Sequence, residues 1–148
     1  MPVVRFAVHD DLSQIMELYS ILIPNDLKRD EKHLQEVWHD IMNHQDRYRY
    51  VVAEEGGGIL STCNIAVVPN LTRSARPYAV IENVITHPDA RRRGLGRACI
   101  MKAVEFAREN GCYKVMLLSG SERKEAHAFY ESLGFSGTKK KGFVMELL

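Results

Sequence analysis

Residues 90–98 read Ala-Arg-Arg-Arg-Gly-Leu-Gly-Arg-Ala, with four arginines and two glycines in nine positions. An apolar run, residues 78–86, precedes them, and a segment with helical spacing follows. The spacing therefore puts Arg91, Arg92, Arg93, Gly94, Leu95, Gly96 and Arg97 where a strand hands over to a helix. The first turn of a helix has N–H groups with no partner inside the helix, and it carries a partial positive charge. A phosphate or pyrophosphate satisfies both, and glycine lets it come close to the backbone. This chemistry predicts a turn that binds a phosphate-bearing cofactor; the plain alternative is a solvated basic turn that starts a helix. A nucleotidase phosphate loop would need Gly-Lys-Ser/Thr, which is absent, and a dinucleotide fingerprint would need a third glycine where Cys99 stands.

A second group with chemistry lies just upstream. Glu82 and Asn83 interrupt the apolar run Tyr-Ala-Val-Ile-Glu-Asn-Val-Ile-Thr. Burying a carboxylate is costly unless it is paired or used. Partial burial raises its pKa, which suits a general base. An edge position or a structural ion pair is the other reading of Glu82. Arg73 and Arg76 lie in a loop, residues 69–77, and could meet an anionic substrate group, a partner subunit, or only water.

These groups must be held by ordinary elements. Strands are expected at residues 3–8, 48–54, 59–68, 78–86, 114–118 and 143–147, with Glu55-Gly56-Gly57-Gly58 closing a hairpin. Leu12, Ile15, Met16, Tyr19 and Leu22 form the stripe of a first helix, with Asp10 or Asp11 as its N-cap; Leu34, Val37, Trp38 and Ile41 form that of a second. The helix after the glycines buries Cys99, Ile100, Ala103, Val104, Phe106 and Ala107 and stops at Asn110-Gly111. Ala126, Phe129, Tyr130 and Leu133 mark a last helix. Strand, glycine turn, helix and strand make a βαβ unit, with both strands in one sheet.

Length and composition bound the rest. The 148 residues fit a single domain, 1–148, with a real core, and 45% apolar with 26% charged residues describe an ordinary globule. A net charge of +1 gives no bulk attraction to nucleic acid or membrane. Cys63, Cys99 and Cys112 are too dispersed for a disulfide framework or a zinc site, so no metal and a reducing cytoplasm are expected. The start, Met-Pro-Val-Val-Arg, is no signal peptide, and no apolar run is long enough to span a membrane.

Arg91-x-x-Gly94-x-Gly96, followed downstream by Ala126-x-x-Phe129-Tyr130-x-x-x-Gly134-Phe135, resembles the signature pair of the GNAT superfamily of N-acetyltransferases. The resemblance covers nearly the whole chain and is strongest over residues 81–135. It implies an α+β, α/β/α layered fold with about four helices. Its mixed, mostly antiparallel sheet of six to seven strands would be splayed at the centre. Acetyl-CoA would lie in the splay, its pantetheine arm on backbone groups of Val84, Ile85 and Thr86 and its pyrophosphate on the N–H groups of residues 92–97. Glu82 would be the base and Tyr130 the acid that protonates the departing thiolate; a core aromatic is the other reading of Tyr130. Many relatives have asparagine seven residues before this tyrosine. Here Arg123 stands there, and it would reach a phosphate instead. Ile81-Glu82-Asn83-Val84 and Gly111-Cys112-Tyr113-Lys114 also look like glucosamine-6-phosphate N-acetyltransferases, which would give Asn83, Arg73 and Arg76 to the substrate, although the strand ending Leu117-Leu118-Ser119 lacks the acidic residues expected there. The implied activity is acetyl transfer to a small-molecule primary amine (amino sugar, amino acid or polyamine) by a homodimer. Acetylation of a protein amine and a non-catalytic acyl-CoA-binding module are the alternatives.

Overall fold

The computed structural model describes every residue, Met1–Leu148, and the chain forms two compact units, Met1–Met116 and Leu117–Leu148. The first unit is built on one sheet. Its strands are β1 (Val3–Phe6), β2 (Tyr48–Glu55), β3 (Gly58–Val68), β4 (Tyr78–Thr86) and β5 (Val115–Met116), in spatial order β1-β2-β3-β4-β5. The first four pair antiparallel: residues 7–47, two helices among them, join β1 to β2, a tight turn joins β2 to β3, and the 69–77 loop joins β3 to β4; β4 and β5 pair parallel across the helical crossover. The helices of this unit are α1 (Leu12–Leu22), α2 (Glu31–Met42), a single turn α3 (Thr72–Ala75) and α4 (Leu95–Glu109).

Successive residues of a strand face opposite sides of a sheet. On β2, Tyr50 meets Trp38 of α2, ring centroids 5.2 Å apart, while the Arg49 guanidinium sits 5.5 Å from the Phe106 ring of α4. So α2 and α4 cover opposite faces, which is the layered arrangement. One face packs Leu12, Ile15 and Leu18 of α1 and Trp38 of α2 on Val52 and Ile85. The other receives Cys99, Ile100 and Ala103 of α4, none of them exposed at all. Cys99 is thus a core residue beside Cys63 and Ser61, and burial raises its thiol pKa to about 11.

The ends of these elements follow their sequences, with one exchange of roles. Asp30 Oδ1 accepts the His33 N–H at 3.1 Å and caps α2. Asp11 does not cap α1: its carboxylate takes Nη1 and Nη2 of Arg5, at 2.7 and 3.1 Å, and the Val8 N–H at 2.7 Å. Gln14, on the polar side of α1, donates to the Gly57 carbonyl and accepts the Ile59 N–H at 2.8 Å, tying α1 to the β2–β3 turn. At the end of α4, Gly111 has φ +73 and its N–H reaches the Arg108 carbonyl, while the Cys112 N–H reaches that of Ala107. This left-handed closure requires the residue without a Cβ.

The second unit contains α5 (Lys124–Ser132), in which the Tyr130 ring lies 5.3 Å from Phe129 and 6.2 Å from Phe135.

Two expectations need correction. The sheet has five strands, not six or seven: residues 143–147 form no strand, and the run 114–118 pairs only at Val115–Met116. Alternating apolar residues allow a strand, but only a neighbour with free N–H and C=O groups makes one. There are five helices rather than about four. The added one, α3, is a turn inside the 69–77 loop with Arg73, Ser74 and Ala75 at φ +57, +59 and +61, so it winds left-handed.

Candidate active site

The centre of β4 departs from regular pairing. Asn64 opposes Glu82 and Thr62 opposes Ile85, so Asn83 and Val84 together face the single residue Cys63. This is a β-bulge. Asn83 takes φ +53 within it, and asparagine is among the few side chains that tolerate the left-handed region. Asn83 Nδ2 donates to Asn64 Oδ1 at 3.4 Å.

Beside the bulge, β4 has an open edge. Parallel pairing with β5 involves only Ala79 and Val80 of β4. The strand runs on to Thr86 with no partner strand on that side. The Ile85 carbonyl accepts the buried Ser61 hydroxyl at 3.2 Å, and the His87 N–H donates to the Leu60 carbonyl at 2.7 Å. Both therefore face β3. Since backbone groups alternate in direction along a strand, Val84 and Thr86 turn theirs to the open edge.

The chain leaves β4 through a single 3-10 turn, Pro88–Ala90, and enters α4 at the glycines. Arg92 has φ +63 and Gly94 φ +76. Gly94 is the N-cap without any side-chain capping bond, and the first backbone bond closing on it comes from the Ala98 N–H. The N–H groups of Leu95, Gly96 and Arg97 thus have no acceptor within the helix. Left-handed residues next to a helix start turn successive N–H groups into one concavity, a geometry that suits an anion. Arg91, Arg92 and Arg97 are exposed around it. Arg93 instead turns to Glu55, with Nη2 at 2.8 and 2.9 Å from the two carboxylate oxygens.

The other predicted residues fall as follows. Glu82 is exposed, so its expected partial burial is not met. Arg76 Nε donates to the Gly111 carbonyl at 3.0 Å, and Arg73 lies 5.4 Å from the Tyr113 ring. Both therefore sit at the C-terminal end of α4, about 22 Å along a 15-residue helix from the glycine turn. In the second unit, Tyr130 is buried and Arg123 is the exposed N-cap position of α5.

The sequence reading missed one set of residues. Tyr50, Asn64 and Glu82 stand in register across β2, β3 and β4, so all three lie on the α1–α2 face of the sheet. Tyr19 of α1 brings its hydroxyl to Tyr50 and Asn83, buried and without a partner at full hydrogen-bond distance. Burial, helped by Tyr50, pushes the Tyr19 phenol well above its ordinary pKa, so it remains a neutral donor. Tyr19 reads as one more core position in the α1 stripe; only the packing of α1 on the sheet brings it to Tyr50 and Asn83.

No group of three His, Cys, Asp or Glu side chains is placed to hold a metal, and no helix is long and apolar enough to cross a membrane.

A model of the acetyltransferase (GNAT) family matches residues 14–135. A glucosamine 6-phosphate N-acetyltransferase of Trypanosoma brucei brucei is 38% identical over 85 residues, 57% of this chain and 56% of that protein. An uncharacterized N-acetyltransferase of Methanocaldococcus jannaschii is 32% identical over 136 residues, 89% of this chain and 59% of that one. The chain thus spans a little over half the length of these curated relatives. Among solved structures, a putative acetyltransferase from Agrobacterium tumefaciens is 41% identical and superposes with a TM-score of 0.90, covering 98% of this chain and 99% of that one. With the family match extending from α1 past the end of α5, the chain belongs to the GNAT acetyltransferase family.

Proposed function

We propose that the chain is a single acetyltransferase domain that moves an acetyl group from acetyl-CoA to a small-molecule primary amine by direct attack. One observation carries this reading: β4 has an open edge beside a bulge, and the chain leaves that edge into a helix start with three uncommitted N–H groups. An extended amide-bearing arm fits the edge, and a diphosphate fits the helix start.

Acetyl-CoA supplies the acyl group as a thioester. Val84 and Thr86 offer backbone groups to its pantetheine amides, with Ile85 supporting them from the β3 side. The N–H next to the bulge donates to the thioester oxygen as negative charge develops there. Leu95, Gly96 and Arg97 hold the diphosphate, with Arg91 and Arg92 adding charge. Glu82, exposed to water, takes the proton from the acceptor ammonium directly or through a water molecule. Tyr130 returns a proton to the leaving thiolate; this role rests on the residue's place in the Phe129-Tyr130…Gly134-Phe135 motif and on its burial.

The T. brucei brucei relative makes an amino sugar the first acceptor to try. Arg76 is engaged with the carbonyl end of α4 and Arg73 lies over the Tyr113 ring, so a sugar phosphate would need another cation than the two the sequence offers. Three free thiols fit a reducing, cytoplasmic location.

The test is an acceptor screen with acetyl-CoA, read by thiol release. With an acceptor in hand, Tyr130→Phe should lower kcat about 100-fold, within the usual range for a general acid, and leave CoA affinity nearly unchanged. Glu82→Gln should lower kcat/KM for the acceptor and change the shape of its pH profile. Wild-type kinetics in both variants would remove the assigned acid and base.

A further inference from the structure

The turn that leads into α4 has little to hold it. No backbone hydrogen bond of good geometry reaches Arg91, Arg92 or Arg93. The bonds on either side belong to the 3-10 turn before them, Ala90 N–H to the His87 carbonyl at 2.9 Å, and to the first turn of α4, Ala98 N–H to the Gly94 carbonyl at 3.0 Å. Three adjacent cations repel one another. Arg92 and Gly94, on either side of Arg93, both take left-handed angles, and at Arg92 this conformation is costly. Such a segment keeps its shape only if something outside it is attached. The one hydrogen-bonded attachment is the Arg93 side chain, whose Nη2 lies 2.8 and 2.9 Å from the two carboxylate oxygens of Glu55.

Glu55 is a firm anchor. It is the last residue of β2 and pairs with Gly58 across the hairpin. Gln14 of α1 staples that hairpin through the Gly57 carbonyl and the Ile59 N–H. Beside it, Glu54 accepts from Arg5 Nη2 at 2.8 Å, and Asp11 holds the same guanidinium. The other cation near Glu55 is the fully exposed Met1 amine, 3.9 Å from Oε2. A turn tied to this frame is ordered before a ligand arrives, so less conformational freedom is lost on binding. Arg93 is thereby engaged, while Arg91, Arg92 and Arg97 remain exposed around the helix start.

We propose that Glu55 is a positioning residue for the phosphate-bearing cosubstrate. Through Arg93 it holds the turn before α4 in the shape that presents the N–H groups of Leu95, Gly96 and Arg97. Glu55 itself touches no ligand, and Arg93 is a clamp on the turn rather than a phosphate contact. The inference rests on the diphosphate site of the proposed function. It separates Arg93 from the three other arginines that the sequence offers to that site.

Two measurements on the full-length chain test it. Trypsin cleaves after arginine, so nicking of the ligand-free chain after Arg91, Arg92 or Arg93, located by mass spectrometry, reports how firmly the turn is held. Nicking after Arg29, between α1 and α2, is the internal control. Glu55→Ala should speed nicking at the turn about fivefold, the upper range for a partly exposed ion pair, and leave Arg29 unchanged. Calorimetry then reads CoA. Glu55→Ala should raise its Kd about fivefold when Arg93 is present and should no longer weaken binding once Arg93 is Ala, because the contact is already gone. Affinity for pantetheine, which lacks the diphosphate, should not move. Unchanged nicking at the turn would overturn the clamp, whatever CoA does. CoA affinity that is unchanged or tighter in Glu55→Ala, or equally weakened with Arg93 gone, would overturn the positioning role. A wild-type chain that does not bind CoA, with nicking accelerated as expected, would keep the clamp and overturn both the diphosphate site and the role of Glu55 toward it.

Discussion

Asp11 shows how one carboxylate can set the entry to a helix without capping it. Burial alone would raise its pKa, but the Arg5 guanidinium and the Val8 N–H outweigh burial and leave it below its ordinary value. A carboxyl whose folded pKa is depressed contributes stability above its unfolded pKa, near 3.8, and loses it as pH falls through the folded value. Asp11→Asn should therefore cost about 2 kcal/mol at pH 7, less than a fully buried pair because the Arg5 side chain is 28% exposed. The gap to wild type should narrow below pH 4. Urea denaturation at pH 7 and pH 3 checks this, and a gap that widens in acid would contradict the assignment. Gly94 is the second residue of this kind. A Cβ there meets nothing within 4 Å, so Gly94→Ala is limited by its φ of +76 and should cost about 1–2 kcal/mol. The strain acts at the helix start proposed to hold the diphosphate, so affinity for CoA, measured by calorimetry, should fall more than affinity for an analogue lacking the diphosphate.

At the scale of elements, the bulge in β4 decides whether the open edge can work. It needs a residue that accepts φ near +53. Asn83→Gly should keep the bulge and most of the turnover. Asn83→Val should regularise the strand, turn Val84 away and lower kcat at least 10-fold, with CoA affinity less affected, because the helix start is untouched. Equal kinetics in the two variants would show that the bulge does not position a donor. The bulge also marks a limit of what the sequence reveals. The span Tyr78–Thr86, the hairpin and the helix after the glycines are plain in the sequence, because periodicity and turn residues are local. Glu82 and Asn83 stand out as polar interruptions, but a one-residue mismatch with β3 is a property of two strands. The same holds for Tyr19: its hydroxyl matters through Tyr50 and Asn83, which are 31 and 64 positions away in the chain. The expected strand at residues 143–147 has the right pattern and no neighbour, since pattern specifies a face but not a pairing partner. Arg76 is a further case. In sequence it is a loop cation, and in space its guanidinium closes the end of a helix.

Across the whole molecule, the chemistry is assigned mostly to backbone. The open β4 edge and the helix start offer N–H groups that almost any sequence could supply, provided that two residues take left-handed angles and one has no side chain. Under the proposed function, acceptor choice would come from the side chains on the α1–α2 face, where Tyr50, Asn64 and Glu82 share a row and Tyr19 meets Tyr50 and Asn83. Of these Glu82 alone carries charge, which suits an ammonium flanked by neutral hydroxyls. The three cysteines have a practical consequence. Cys63 and Cys99 are fully buried, while Cys112 is partly open at the carbonyl end of α4. Burial raises the Cys112 thiol too, so it reacts slowly at neutral pH and faster in mild alkali. Maleimide should add once per folded chain and three times after denaturation, as counted by mass spectrometry. A dye placed this way sits a helix length from the glycine turn, close enough to report a dye-labelled CoA at the proposed diphosphate site by energy transfer and far enough not to obstruct it.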